Sequence, residues 1–241
     1  MQNLRSLIYN FIVWISVLIY APLSLLTFPL PARARFAFIS QWGRMQVRLA
    51  KLICGLDYRV EGRERLPVRP AIIMAKHQST WETFAFQEIF PPHVWVLKRE
   101  LLWVPLFGWA LALLRPVAID RGSGKQAIQQ LIEQGRERLQ AGYCVVVFPE
   151  GTRMPPRTRG RYKLGGAVLA NATGYPVVPV AHNAGSFWPR RGFLKRAGTI
   201  RVVIGPTIES RGRSAEEIRQ IAESWIEGTM QELEGQSRPG Q

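Results

Sequence analysis

Apolar positions along this chain fall into two regimes. In residues 7–30 they run almost unbroken, LIYNFIVWISVLIYAPLSLLTFPL, with no charged residue. A run of that length can cross a hydrocarbon core as one helix. Pro22 lacks an N–H and is predicted to kink or end the helix, leaving residues 7–21, which is marginal for a full span. A cleaved secretory signal would have a shorter apolar region ending in a small-residue cleavage site, and none stands out. An ordinary buried helix is the other alternative. Residues 34–54 then follow a helical period: Phe38, Trp42, Met45, Leu49 and Leu52 share one face, with Arg44, Arg48 and Lys51 on the next. An apolar stripe beside a basic one suits a lipid interface; a soluble helix with a solvated basic face is the alternative. Residues 1–55 are predicted to form a two-helix hairpin anchor, dipping into one leaflet or spanning it.

Beyond Gly55 short β-branched runs alternate with helical patterns, which reads as an α/β domain over residues 56–234. Strands are predicted at 58–61, 71–75, 94–98, 117–119, 144–148, 177–181 and 200–204. Helices are predicted at 81–89, 104–114, 125–140, 164–173 and 215–233. Ser214 and Glu217 form a capping box opening the last helix, and Gly142 and Gly174 stand at expected helix ends. The predicted class is α/β, a mixed, largely parallel sheet flanked by helices. Residues 235–241 are expected to be a frayed tail.

Charge adds a constraint. Lys and Arg number 32 against 17 Asp and Glu, a net +15. An anionic partner is implied: nucleic acid, a phospholipid surface or a phosphorylated substrate. The two cysteines, Cys54 and Cys144, lie far apart in apolar segments with no metal-ligand spacing, so reduced buried thiols and a cytosolic face are expected.

Candidate chemistry gathers at predicted strand ends. Lys76-His77-Gln78-Ser79-Thr80-Trp81-Glu82 follows the strand at 71–75, and such ends open into the usual ligand crevice of an α/β sheet. Five helical steps would turn His77 and Glu82 about 140° apart. They can meet only if His77 precedes the helix and Glu82 lies in its first turn. The carboxylate would then fix the imidazole tautomer, leaving the other ring nitrogen as a general base. Ser79 and Glu82 also fit a Ser-x-x-Glu capping box, so on these residues alone a purely structural cap stands beside the catalytic reading. Phe148-Pro149-Glu150-Gly151-Thr152-Arg153 ends another apolar strand. Gly151 permits an unusual turn, and Arg153 carries a planar fork suited to phosphate; a solvated basic loop is the alternative. Asp120-Arg121 ends a third strand, and Val177-Val178-Pro179-Val180 holds a proline that signals an edge, a bulge or a wall near a ligand.

A histidine and an acid separated by four residues, an arginine after a strand, Phe-Pro-Glu-Gly-Thr-Arg, then Val-Pro-Val, in this order, resembles the glycerolipid acyltransferases, most nearly the bacterial 1-acyl-glycerol-3-phosphate acyltransferases. The resemblance covers roughly residues 59–208. It implies that His77 deprotonates the acceptor hydroxyl and that Glu82 orients it. It implies that Arg121 and Arg153 bind the phosphate of lysophosphatidic acid, with Glu150, Gly151 and Thr152 shaping that pocket. Lys98 is expected to face the phosphate too, and Pro179 to line the acyl or acceptor site. It further implies no metal, no cofactor and no covalent acyl-enzyme. Acyl-CoA or acyl carrier protein would be the donor, and the site would lie on the cytoplasmic side of a bacterial inner membrane. Two positions depart from the family pattern: Glu82 replaces the usual aspartate, and Lys76 the frequent asparagine. A cation at Lys76 close to His77 would disfavour the imidazolium.

Other motifs are incomplete. Gly122-Ser123-Gly124-Lys125 lacks the early glycine and the Ser or Thr of a phosphate-binding loop. No Gly-x-Ser-x-Gly elbow is present, and His93 and His182 have no ligand-spaced companions for zinc. A nucleic-acid-binding module fits the charge but not the uncharged amino-terminal run. An acyltransferase for another lysolipid, such as a lyso-aminolipid, would use the same histidine–acid chemistry. The loop 186–196 mixes aromatics with cations and suits either a lipid interface or plain solvent.

Overall fold

The computed structural model describes residues 1–236. Fifteen elements follow one another: α1 (Gln2–Leu25), α2 (Ala32–Cys54), β1 (Leu56–Glu61), β2 (Ile72–Ala75), α3 (Trp81–Ile89), β3 (His93–Lys98), α4 (Phe107–Ala112), β4 (Val117–Ile119), α5 (Lys125–Gln140), β5 (Cys144–Val147), α6 (Gly165–Thr173), β6 (Val177–His182), α7 (Ala184–Phe187), β7 (Gly198–Ile204) and α8 (Ala215–Gln236). The tail expected from Gly235 begins inside α8, and residues 237–241 lie outside the described residues.

One sheet has the order β1-β7-β6-β2-β5-β3-β4. All neighbours are parallel except β6 and β7, so β1 and β7 run against the other five. The central strands read as continuous apolar runs because both faces are covered. Ile73, Ala75, Val146, Val178 and Val180 pack with Trp81, Phe84 and Phe86 of α3. Ile72, Met74, Val145, Val147 and Val177 pack with Leu131 of α5, Leu169 of α6 and Ile218 of α8. Residues alternate between the two layers with the period of a strand. Gly43 lets α2 approach α3: a Cβ there would sit 3.0 Å from Gln87 Cγ and 3.2 Å from the Phe84 carbonyl.

The amino-terminal helices form an antiparallel hairpin. Tyr9 hydroxyl donates to the Gln46 carbonyl, Trp42 Nε1 to Ser16 Oγ, and Tyr20 stacks on Phe38. Pro22 does not end α1, contrary to the sequence expectation; it falls near the carboxyl end, so the helix loses one hydrogen bond and continues to Leu25. α1 is inverted relative to a helix of a water-soluble core. Ser6, Tyr9 and Ser24 are buried, whereas Leu7, Phe11, Trp14 and Leu18 are exposed. Its inward face is fastened to the loop before β7: Lys195 N donates to Ser6 Oγ (3.0 Å) and Asn10 Nδ2 to the Phe193 carbonyl (3.2 Å). The basic stripe of α2 is partly consumed by the protein itself. Arg44 Nε donates to the Gln87 carbonyl and Lys51 pairs with Asp57.

The helix predicted at 104–114 is shorter than expected. Residues Arg99–Trp103 form a 3-10 helix, and α4 begins only at Phe107. Proline keeps the preceding residue extended, and Val104 has φ −64 and ψ 118. Leu106 at φ 61 then makes a tight turn closed by Phe107 N to the Pro105 carbonyl at 2.7 Å.

Candidate active site

The five parallel strands β2 to β6 end on one edge, and strand order decides which ends meet. Met74 of β2 pairs with Val147 of β5, and Ala75 pairs with Val180 of β6. His77 and Glu150 therefore leave the sheet side by side, although 73 residues separate them in sequence.

Glu82 is the second residue of α3 and is fully buried. Its Oε1 lies 2.9 Å from His77 Nδ1 and accepts from Gln78 N (2.9 Å) and Ser79 N (2.8 Å). Ser79 Oγ in turn accepts from Trp81 N at 3.1 Å. One carboxylate thus does both jobs that the sequence left open, fastening the helix start and holding the imidazole. A carboxylate only accepts, so Nδ1 carries the proton and Nε2 presents its lone pair. Nε2 has no hydrogen-bond partner among the described residues, and the His77 side chain keeps 14% of its surface. The ring stacks on Phe148, with centroids 3.9 Å apart and planes 11° apart. Burial pushes the Glu82 carboxyl up. The electrostatic pull of the His182 and His77 imidazoles, with the His77 and Ser79 hydrogen bonds, outweighs it and holds the group below the usual carboxylate value. His182 is buried behind the pair, its Nε2 2.8 Å from the Lys76 carbonyl.

Lys76 points away from the ring. It is buried, and its Nζ lies 2.8 Å from Glu150 Oε1, 2.8 Å from Glu227 Oε1 of α8 and 3.0 Å from the Thr158 carbonyl. The expected pressure of this cation on the imidazolium is thereby corrected: two carboxylates neutralise it. Glu150 also departs from the expected pocket-shaping role. Oε1 accepts from Lys76 and Gly160 N, and Oε2 from His77 N at 3.0 Å. Its side chain faces inward, toward the backbone that carries the imidazole. Burial pushes this carboxyl up against the pull of Lys76. With only donors around it, the ionised form satisfies the geometry.

Gly151 takes φ +68, and a Cβ would lie 3.1 Å from Lys163 Nζ. Arg121 Nη1 donates to the Gly151 carbonyl at 2.6 Å, and Arg190 Nη1 to the Arg153 carbonyl at 3.0 Å. Arg153 is half-buried, and its Nε has no partner among the described residues. Burial lowers its pKa, opposed by Glu82 and assisted by Arg190. Three guanidinium groups therefore bracket the turn beside the dyad. Arg190 was read from sequence only as part of a mixed loop, because nothing in its local pattern shows that β6 and the turn bring it here. Thr152 is exposed on the same turn. Lys98 is not brought to this cluster by any contact among the described residues; its Nζ pairs with Glu100 at 2.9 Å. Pro179 is buried mid-strand in β6, on the face opposite Val178 and Val180, and packs toward Gly205. Its missing N–H falls between the Val180–Ile204 pairing and the Val177–Ile208 bridge, where β7 leaves the ladder. It interrupts the ladder there. A cavity of about 380 Å³ between α2, β1 and α3 is lined by Arg48, Lys51, Asp57, Arg63 and Glu88 and by no member of the cluster.

The sequence and the fold that carry this site are matched in known proteins. The family model described as acyltransferase matches residues 57–183. This chain belongs to the acyltransferase family. The match spans the dyad, Arg121 and the whole 148–153 turn. A protein of Pseudomonas aeruginosa named 1-acyl-sn-glycerol-3-phosphate acyltransferase is 46% identical over 237 residues, covering 96% of this acyltransferase and 92% of that protein. One of the same name from Saccharomyces cerevisiae is 34% identical over 193 residues, 77% of this chain and 63% of that protein. The crystal structure of the 1-acyl-sn-glycerophosphate (LPA) acyltransferase of Thermotoga maritima shares the fold, with a TM-score of 0.80 at 24% identity over 100% of this chain and 98% of that one.

Proposed function

We propose that this acyltransferase transfers a fatty acyl group from acyl-CoA or acyl carrier protein to the sn-2 hydroxyl of 1-acyl-glycerol-3-phosphate, giving phosphatidic acid. The observation that carries this reading is the free Nε2 of a tautomer-fixed His77 beside the Arg121–Arg153 turn. Relatives named for that reaction support it. Nε2 takes the hydroxyl proton as the oxygen attacks the thioester carbonyl. The tetrahedral oxyanion collapses, the C–S bond breaks, and the imidazolium returns the proton to the departing thiolate. A thioester is already activated, so positioning and one proton relay supply most of what the step needs. The reading calls for neither metal nor cofactor, with the donor as co-substrate. Arg121 and Arg153 hold the phosphate. Arg190, bonded to the same turn, adds a third cation.

The acceptor has one acyl chain and lies in a membrane. The outward apolar face of α1, long and apolar enough to cross one by length and composition, would hold the crevice at the headgroup level. Two free buried cysteines suit a site on the cytoplasmic side of the inner membrane. The test is a screen of purified enzyme with labelled acyl-CoA and acyl carrier protein against lysophosphatidate and lyso-aminolipid acceptors, alongside His77→Ala. Turnover confined to the phosphate monoester and lost in the variant is expected. Near-normal turnover by His77→Ala removes the assigned base, and preference for an acceptor without the phosphate removes the assigned substrate.

A further inference from the structure

α8 lies wholly beyond residues 57–183 that match the family model, yet it reaches the catalytic segment at several points. Glu223, Glu227 and Glu234 recur at spacings of four and seven, which places them along one face of a helix. Each is bonded into the site. Glu227 Oε1 accepts from Lys76 Nζ (2.8 Å) and from the Tyr162 hydroxyl (2.8 Å). Glu234 accepts from Gln78 Nε2 (2.9 Å) and from Arg157 N (2.9 Å). Glu223 accepts from Arg159 Nη2 (2.6 Å). Lys76 and Gln78 are the residues on either side of His77. Arg157, Arg159 and Tyr162 belong to the segment that continues from Arg153. The same helix therefore grips both walls of the crevice, the one that carries the base and the one that carries the phosphate-facing arginine.

A relay of contacts makes this grip specific. Lys76 Nζ joins Glu227 to Glu150 Oε1, and Glu150 Oε2 holds His77 N. Without Glu227, Lys76 and Glu150 remain as a pair that has lost one anchor. The His77 peptide unit keeps its bonds to Glu150 Oε2 (3.0 Å) and to Met154 N (2.7 Å), but the carboxylate that holds it is then tied only to Lys76 and Gly160 N, with no link to α8. Without Glu234 the Gln78 side chain keeps, among the described residues, its bond to Gly185 N at 3.2 Å, while Gln78 N still donates to Glu82.

We propose that Glu227 and Glu234 of α8 are positioning residues for acyl transfer: acting through Lys76 and Gln78, they set the register between the His77 imidazole and the Arg153 turn. The inference rests on the acyl-transfer reading for its kinetic consequence but not for its structural one. Reactions that depend on alignment lose about 100-fold for a misplacement near 1 Å, so the expected loss is in kcat.

The test uses the full chain with Glu227→Ala, Glu227→Gln, Glu234→Ala and, as a control elsewhere on α8, Glu216→Gln. Steady-state kinetics and hydrogen–deuterium exchange of residues 75–82 are measured on each. Glu227→Ala and Glu234→Ala should lower kcat roughly 10- to 100-fold with both KM values within about twofold, and should speed exchange in 75–82. Glu227→Gln keeps an acceptor for Lys76 and Tyr162 and should recover most of the kcat. Should Glu227→Ala fold poorly, Glu234→Ala, which leaves the Lys76 ion pairs intact, decides the matter. Variants with wild-type kcat and unchanged exchange overturn the proposal. So does a loss of amplitude in which the folded fraction keeps the wild-type kcat. A wild type that exchanges as expected but transfers no acyl group defeats the functional reading instead.

Discussion

Replacing Glu82 by Gln isolates the charge at the centre of the dyad. The substitution is nearly isosteric. Oε1 makes the bonds to His77, Gln78 and Ser79, and Oε2 has none among the described residues. An amide can keep its oxygen toward the three donors and turn its NH2 to the vacant side, so the helix start should survive. What disappears is a full negative charge 2.9 Å from the nitrogen that becomes part of an imidazolium in the transition state. Unit charges about 4 Å apart attract by about 4 kcal/mol at an effective dielectric of 20. The exposed edge of His77 and the surviving hydrogen bond reduce this to roughly 2–3 kcal/mol, a fall in kcat of about 30- to 150-fold. The assay is steady-state transfer from labelled acyl-CoA to lysophosphatidate across pH 5–9, with thermal unfolding as the control for folding. A variant within fivefold of wild type would refute the role given to this carboxylate.

Arg153→Ala should raise the KM for the phosphorylated acceptor at least tenfold while the donor KM stays within about twofold, because only the acceptor carries its phosphate to that turn; equal effects on both would reassign the residue. Phe11→Asp with Trp14→Ser, on the exposed face of α1, should weaken co-sedimentation with phospholipid vesicles without changing the circular dichroism spectrum, and unchanged sedimentation would contradict the anchor. Burial lowers the Lys195 ammonium to about 8, so the folded chain pays to hold it charged below that pH and the cost is relieved as pH rises toward the unfolded value. The stability of wild type relative to Lys195→Met should therefore improve by about 2 kcal/mol between pH 8 and 10, and a flat difference in denaturant unfolding would show that the ring faces of Trp188 and Tyr9 and the Phe193 carbonyl already offset the burial.

Much of the fold was legible because its signals are local. The strand 117–119 and the helices 81–89 and 125–140 coincide with β4, α3 and α5. In these segments periodicity and chain breaks agree. The misreadings have local causes of a different kind. Pro105 displaces the start of α4, and Pro22 sits so near the end of α1 that its cost is one bond. The capping-box spacing of Ser79 and Glu82 was visible, as was the only backbone arrangement in which His77 could meet the same acid. Residue spacing could not show that one oxygen serves both.

Sequence by itself determined the alternation of strands and helices, the uncharged amino-terminal run, and the residue types suited to a proton relay beside a phosphate, since each depends on neighbours within a few positions. Tertiary structure alone decided where the charges point. Lys76 and His77 are adjacent in the chain, yet one side chain enters a carboxylate pair below the sheet edge and the other opens to the crevice. Glu150 accepts from the His77 backbone, and Glu227 and Glu234, from the far end of the chain, accept from the side chains of Lys76 and Gln78. The physical reason is that an ionised group under a sheet must be matched by opposite charge at about 3 Å, and strand order, which no local pattern encodes, sets who can stand that near.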